Sequence, residues 1–497
     1  MNRFGTPILL CLAAAFLLVT APADAVPIVA TPPLPSLPAS TGSAFKSTPV
    51  AGRTKAPQNP FLAPNPLSSI HNDTWMSDTY PGPGPLGQNL VSDSEAARPG
   101  ICSAITFDSR GRIVTVCPSA AFAPQARLID PDSLGVIDTY ELPNAADLPG
   151  TKAYQNFSGG GYFFLDKQDR IWVATKTNHL FVLGLTADGH GFKLVKDYDL
   201  TSKYDPAKER ISSALPDFKS RIWIVGKQTG QVGILDRKTG KIKSIKLNEE
   251  IQNSFTVGSD GVYIASDRRM YRFGVTKKGF PKVEWKVKYK NSKVTKPGQA
   301  DDGTGTTPTI LKGGYISITD NADPMNVVVY RTGLKLHGKK RVVCEVPVFG
   351  KGASATENSL IGTGRSLIAE NNYGYADIFT PAGPTNVTEP GFARVDIKKN
   401  GRGCKKVWTN HDVRAPTAVP KLSTKTGLIY TYTRPPDPSG AQGYYWTAID
   451  YKTGKTAWTK YAGSGFSYNN NYSGMGLGPD GTAYVGVIGG MLSLRDQ

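Results

Sequence analysis

The feature that most constrains the fold is a recurrence. Eight times along the chain an apolar strand, a tight turn and a second apolar strand follow one another. These hairpins run Ile105 to Val116, Tyr162 to Ala174, Ser213 to Val225 and Phe255 to Ala265. They continue with Thr309 to Ile318, Leu360 to Ala369, Val419 to Tyr430 and Met475 to Val487. Each second strand is apolar and often aromatic, most plainly Ile171-Trp172-Val173 and Ile222-Trp223-Ile224. A strand covered on both faces requires this. A further hairpin follows seven of the eight, as in Val232 to Leu247, Tyr271 to Trp285 and Ala393 to Trp408. Four strands at a period of roughly 50 residues predict an all-β chain folded as a single β-propeller of four-stranded blades. Eight blades are expected, and seven is the alternative. The last unit stops one strand short after Met491 to Leu494. A strand near Leu86 to Ser92 is expected to complete it, removing the open edge and closing the ring. No segment carries helical periodicity.

One hairpin carries more information than the rest. In Thr447 to Trp458 (TAIDYKTGKTAW) an alternating strand ends at Asp450, and Gly454 supplies the positive φ of a tight turn. The pattern Ala448-x-Asp450-x-x-Thr453-Gly454-Lys455-x-x-Trp458 resembles the tryptophan-docking motif of the pyrroloquinoline quinone (PQQ) propeller repeat. In that family the Trp packs between neighbouring blades while Asp, Thr and Gly close the outer turn. Trp285 and Trp408 stand at like positions, and Asp236 to Lys241 repeats the turn without its Trp. The resemblance implies the repeat, not the quinone. Many PQQ dehydrogenases carry adjacent cysteines beside the cofactor, and this chain has none.

The N-terminus reads as a secretory signal over residues 1–25. Arg3 is its charged end, Ile8 to Val19 its apolar run and Ala23-Asp24-Ala25 its cleavage site. Export, to the periplasm or beyond, is therefore expected, with no later membrane span. Residues 26–85 are rich in Pro, Ser, Ala and Thr and read as an extended arm or tether, with His71 to Tyr80 as a docking segment. The propeller is expected over 86–497. Without Cys11, which leaves with the signal, four cysteines remain. Cys102 and Cys117 lie symmetrically about a turn at Ser109-Arg110 and are expected to bond across it. Cys344 and Cys404 then pair by elimination. The formal charge is +18. It reads either as solubility from Lys and Arg on outer strands or as attraction to an anionic partner such as an acidic polysaccharide or a cell surface. The basic residues are scattered and match no nucleic-acid motif, so nucleic acid is not expected. A monomer is expected.

Function is expected on one face. The loops joining blades, and those between second and third strands, emerge on the same side and are longer than their geometry needs. They gather Asp301, Asp302, Asp320, Asn321, Asp323, Glu370, Asn371, Asn372, Tyr373 and Tyr468 as candidate ligand-binding residues. His411, with an intrinsic pKa suited to proton transfer, is the candidate acid/base, with Arg414 beside it and Glu357 as a carboxylate. The innermost strands begin with small polar residues, among them Asn156, Asn253, Asn358 and Asn471. These line either a hydrated channel or, with acids such as Glu357, a Ca²⁺ site of oxygen ligands, as calcium-dependent propeller lactonases and esterases do by analogy. Three functions fit. The first is a secreted propeller with a polar funnel for a small molecule or polysaccharide, acting on a carbohydrate or a small ester, lactone or uronate. The second is a non-catalytic binding or assembly propeller. The third, which the missing cysteine pair disfavours, is a PQQ-dependent dehydrogenase.

Overall fold

A computed structural model describes residues 28, 30–52, 55–95, 101–119, 123–151, 156, 158–376, 378 and 388–497. The expected signal segment, residues 1–25, lies outside them. The described residues form eight antiparallel sheets arranged as successive blades. Blades 1 to 7 span 106–141, 163–199, 211–246, 256–288, 309–347, 361–410 and 421–464. Blade 8 is built from Met475–Leu477, Ala483–Val487 and Gly490–Arg495, completed by Val91–Glu95 as its fourth strand. All eight sequence-expected hairpins are the inner hairpins of these blades. The 3₁₀ turn Phe466–Tyr468 is the one helical element among the described residues.

Local chemistry sets the inner turns. In blade 2 the Asp166 carboxylate accepts the Gln168 amide at 2.9 Å, Arg170 Nε at 2.7 Å and the Trp172 indole N–H at 2.8 Å. Blade 3 repeats this with Asp217, Arg221 and Trp223. A buried carboxylate so fully bonded fixes both the turn and the indole that packs between blades. Outer turns are fixed from the preceding blade. Trp408 Nε1 donates to the Tyr451 carbonyl at 3.0 Å, and its ring lies on Gly454, where a Cβ would meet it at 2.5 Å. Gly454 therefore serves two needs, its φ of +75° and this close approach. Trp285 Nε1 reaches the Thr332 carbonyl of blade 5 at 3.2 Å. Both cysteine pairs are bonded as expected: Cys102–Cys117 within blade 1's entry, and Cys344–Cys404 between the outermost strands of blades 5 and 6.

The arm does more than the sequence indicated. Its described part lies along the turn end of the ring, with the expected docking segment His71 to Tyr80 bonded to the inner strands. Ser40–Gly42 extends blade 7 on its outer edge and Thr79–Tyr80 extends it on its inner edge. Between them, residues 59–78 bond to the innermost strands of one blade after another. Asn59 Nδ2 donates to the Pro216 carbonyl, and Ala63 N to that of Leu165. Ile310 N donates to Trp75 O, Gly362 N to Ser77 O, and Leu422 N to Asp78 O. The arm thus fills the turn end of the channel. At its centre Asp78 accepts from Lys421, and His71 Nδ1 lies 3.0 Å from Asp78 Oδ2. Asp78 and Lys421 are wholly buried. The closing strand begins at Val91 rather than Leu86 because the amides of Leu86, Gly87 and Gln88 are held in a loop by the Asp496 carboxylate at 2.6–3.0 Å.

Candidate functional site

On the opposite face of the ring the crossovers between blades emerge. The crossover from blade 4 to blade 5 folds over it. Glu357, just before the first strand of blade 6, accepts the Ala300 amide through Oε2 at 3.1 Å. Its other oxygen, Oε1, is buried and has no partner. The Glu357 amide donates to Asn372 Oδ1 at 3.0 Å, which fixes the backbone. Gly305 makes the fit, since at a φ of +66° a Cβ would collide with the Thr356 carbonyl and come within 3.1 Å of Glu357 Oε2.

Electrostatics single out this carboxyl. Burial pushes the Glu357 pKa up from 4.5, and Asp301 beside it pushes it further. Asp301 is itself buried and raised, by desolvation first and by Glu250 next. Two carboxyls so placed hold a proton between them near neutrality and titrate as a pair. Tyr162 belongs to the same group: its hydroxyl donates to Asn253 Oδ1 at 2.9 Å, and burial with the charges of Glu357 and Asp301 raises its pKa. The buried Thr307 Oγ1, Gln252 Oε1 and Asn253 Nδ2 have no hydrogen-bond partner. Asp301 opens onto a cavity of about 440 Å³ lined also by Leu148 to Thr151, Lys227, Glu250 and Asp302. Burial raises Glu250 as well, against the opposing pull of Lys227 at 3.6 Å.

The other sequence-marked residues are divided. Glu370 is buried with a pKa well above the ordinary value, and Asn358 Nδ2 donates to it at 2.7 Å. Asn358 also bonds the carbonyls of Thr417 and Ala418, joining blades 6 and 7. Asn371 and Asn372 brace loops. Asp320 caps its own loop through Ala322 and Asn326, and Asp323 accepts from Gly352. Asn321 donates to the Asp302 carbonyl at 2.7 Å, linking two of the candidates. Tyr373 is half-buried, while Tyr468 is buried in the core of blades 7 and 8. His411 is exposed on the rim, directly after the outermost strand of blade 6. Arg414 donates to the Thr388 carbonyl. Neither shares a hydrogen bond with Glu357. Tyr162 and Glu250 were missed by sequence reasoning. Tyr162 carries no signal beyond opening a first strand, and Glu250 joins the group only through the fold.

Three of the four channel asparagines spend their side-chain carbonyls on local donors. Asn156 Oδ1 accepts from Ser158, Asn253 Oδ1 from Tyr162, and Asn471 Oδ1 from Tyr375. Asn358 Oδ1 and Glu370 Oε1 remain unpartnered. Among the described residues no group of three or more His, Cys, Asp or Glu is placed to hold a metal.

No family model matches the chain. A protein of Archaeoglobus fulgidus described only as uncharacterized is 26% identical over 299 residues, covering 53% of this chain. The chain spans 57% of that relative's length. Solved structures similar to it are propellers at low identity. Streptogramin B lyase is 12% identical with a TM-score of 0.40, covering 82% of this chain and 97% of its own. The WD40 domain of SCAP from fission yeast is 10% identical with a TM-score of 0.45, covering 82% and 98%. Virginiamycin B lyase from Staphylococcus aureus is 12% identical with a TM-score of 0.38, covering 70% and 97%.

Proposed function

We propose that this is an exported propeller that binds a small hydroxyl-rich ligand at its crossover face and handles a proton there through Glu357 and Asp301. The observation that carries the reading is Glu357: buried, raised in pKa, with Oε1 unpartnered, beside a second raised carboxyl. A protonated carboxyl donates to a ligand oxygen, and its ionised form takes the proton back, so one pair serves as general acid and base. Tyr162, Asn253 and Thr307 supply further polar contacts of the kind that fix a hydroxylated ring. Carbohydrates, uronates and small lactones are the substrate classes this suits. Two disulfides fit the oxidising compartment that export implies, and no helix among the described residues is long and apolar enough to cross a membrane.

The test is a thermal-shift screen of neutral sugars, uronates and lactones, with turnover of the hits followed by proton release. Ligands that stabilise the wild type should fail to stabilise Tyr162→Phe and should not be turned over by Glu357→Gln. Turnover should rise or fall through a pH near 7 to 8, set by the pair. Hits that bind both variants as they bind the wild type would remove the site. Hits that bind at the site without turnover would leave the second reading, a binding propeller.

A further inference from the structure

The scattered basic residues of the sequence are gathered by the fold. In a four-stranded blade, the turn between third and fourth strands emerges on the same face as the inner turn, opposite the funnel. On blades 3 to 7 these outer turns are 236–241, 276–280, 332–341, 398–403 and 451–455. Each carries at least two Lys or Arg, and blade 5 alone places Lys335, Lys339, Lys340 and Arg341 in its turn. The lysines of all five turns are exposed, and among the described residues none of them lies in an ion pair. Asp236, the acid within these turns, is spent on its own backbone, accepting the Lys238 and Thr239 amides at 2.8 and 3.2 Å.

The turns form one continuous arc. Lys243 of blade 3 donates to the Lys278 carbonyl of blade 4. Arg272 and Trp285 of blade 4 bond the Thr332 carbonyl of blade 5, and Arg331 of blade 5 bonds that of Gly401 in blade 6 at 2.7 Å. Trp408 ties blade 6 to Tyr451 of blade 7. Blade 1 breaks the pattern with Asp130 and Asp132 in its outer turn, and blade 2 has Asp188. A charge serving solubility alone has no reason to stop at two blades.

Two exposed apolar side chains sit inside the arc. Phe280 is 40% exposed and Leu334 54% exposed, in the outer turns of adjacent blades. Lys243 Nζ lies 5.6 Å from the Phe280 ring centroid. Lysines around projecting Phe and Leu match a membrane interface, where cations meet anionic headgroups and apolar tips enter the acyl boundary. A hydrated acidic polysaccharide would use the lysines and leave Phe280 and Leu334 in water. We infer that the arc on blades 3 to 7 docks the propeller, turn face down, on an anionic phospholipid surface, leaving the funnel pointing away from it.

The test is co-sedimentation of the whole mature protein with vesicles of mixed phosphatidylglycerol and phosphatidylcholine, against pure phosphatidylcholine. The wild type should pellet with the anionic vesicles, and salt should weaken binding. Each lysine near such a surface contributes about 1 kcal/mol, roughly fivefold in affinity. The variant with Lys339, Lys340, Lys398 and Lys399 all changed to Gln should lose at least about a hundredfold. Phe280→Ser with Leu334→Ser should remove the binding that survives high salt. Lys193→Gln with Lys196→Gln, on blade 2 outside the arc, should bind as wild type, and so should Glu357→Gln, which separates this surface from the funnel. Equal pelleting with neutral vesicles, unchanged binding by the four-lysine variant, or retention by soluble heparin with none by vesicles would overturn the inference.

Discussion

Replacing Glu357 by Gln tests the electrostatics of the site directly. A carboxyl whose folded pKa is raised keeps its proton when the unfolded chain has lost it. Between the ordinary 4.5 and about 8, the folded state therefore binds more protons, and stability falls as pH rises. At about 1.4 kcal/mol per pH unit, the ionised folded state is penalised by on the order of 5 kcal/mol. Gln keeps an oxygen for the Ala300 amide and cannot ionise. Unfolding entropy near 2.1 cal/mol/K per residue makes 1 kcal/mol worth about 1 °C in a folded body of roughly 400 residues. Glu357→Gln should thus melt with the wild type at about pH 5 and about 5 °C above it at about pH 9. Differential scanning calorimetry across that range reads both curves. Asp301 is raised as well, so a residual slope should persist in the single variant and become shallower still in Glu357→Gln/Asp301→Asn, where Glu370 and Glu250 remain. Parallel curves for wild type and single variant would refute the burial and pairing of these carboxyls.

The remaining expectations concern the plug and the ring. Asp78→Asn removes the partner of Lys421, which is wholly buried, and should destabilise by about 3–5 kcal/mol in urea melts; Asp78→Asn/Lys421→Met should recover part of that loss. Cys344→Ser opens a closed loop of 60 residues between blades 5 and 6 and should lower stability by about 4 kcal/mol in urea melts, and reductant, which also opens Cys102–Cys117, should lower the wild-type Tm at least as far as the substitution does.

The sequence made the blades legible because each hairpin carries its own punctuation. Asp166 and Asp217 sit where their turns need an acceptor, and the Trp six residues later is within reach of that same carboxylate. These are local facts, and strand alternation transmits them to the fold. The arm is different. Residues 59–78 hold no period, and their partners are backbone groups on inner strands hundreds of residues away, so only the closed ring shows where they go. The carboxyl pair was half legible for a similar reason. Asp301 and Glu357 were marked as loop acids, but their proximity, and that of Tyr162, depends on the crossover between blades 4 and 5 folding back over the axis. His411 drew notice by residue type and by its loop on the crossover face, and neither says whether that loop leans inward or out.

The clasp in blade 8 bears on the order of assembly. Val91–Glu95 meets Gly490–Arg495, and Asp496 holds Leu86 to Gln88, across some 400 residues of chain. The segment synthesised early must therefore wait, unpartnered and rich in proline, until the last sheet exists to receive it. Contacts this distant make slow folders, and a chain of this build spends that interval open to proteases and to neighbouring copies.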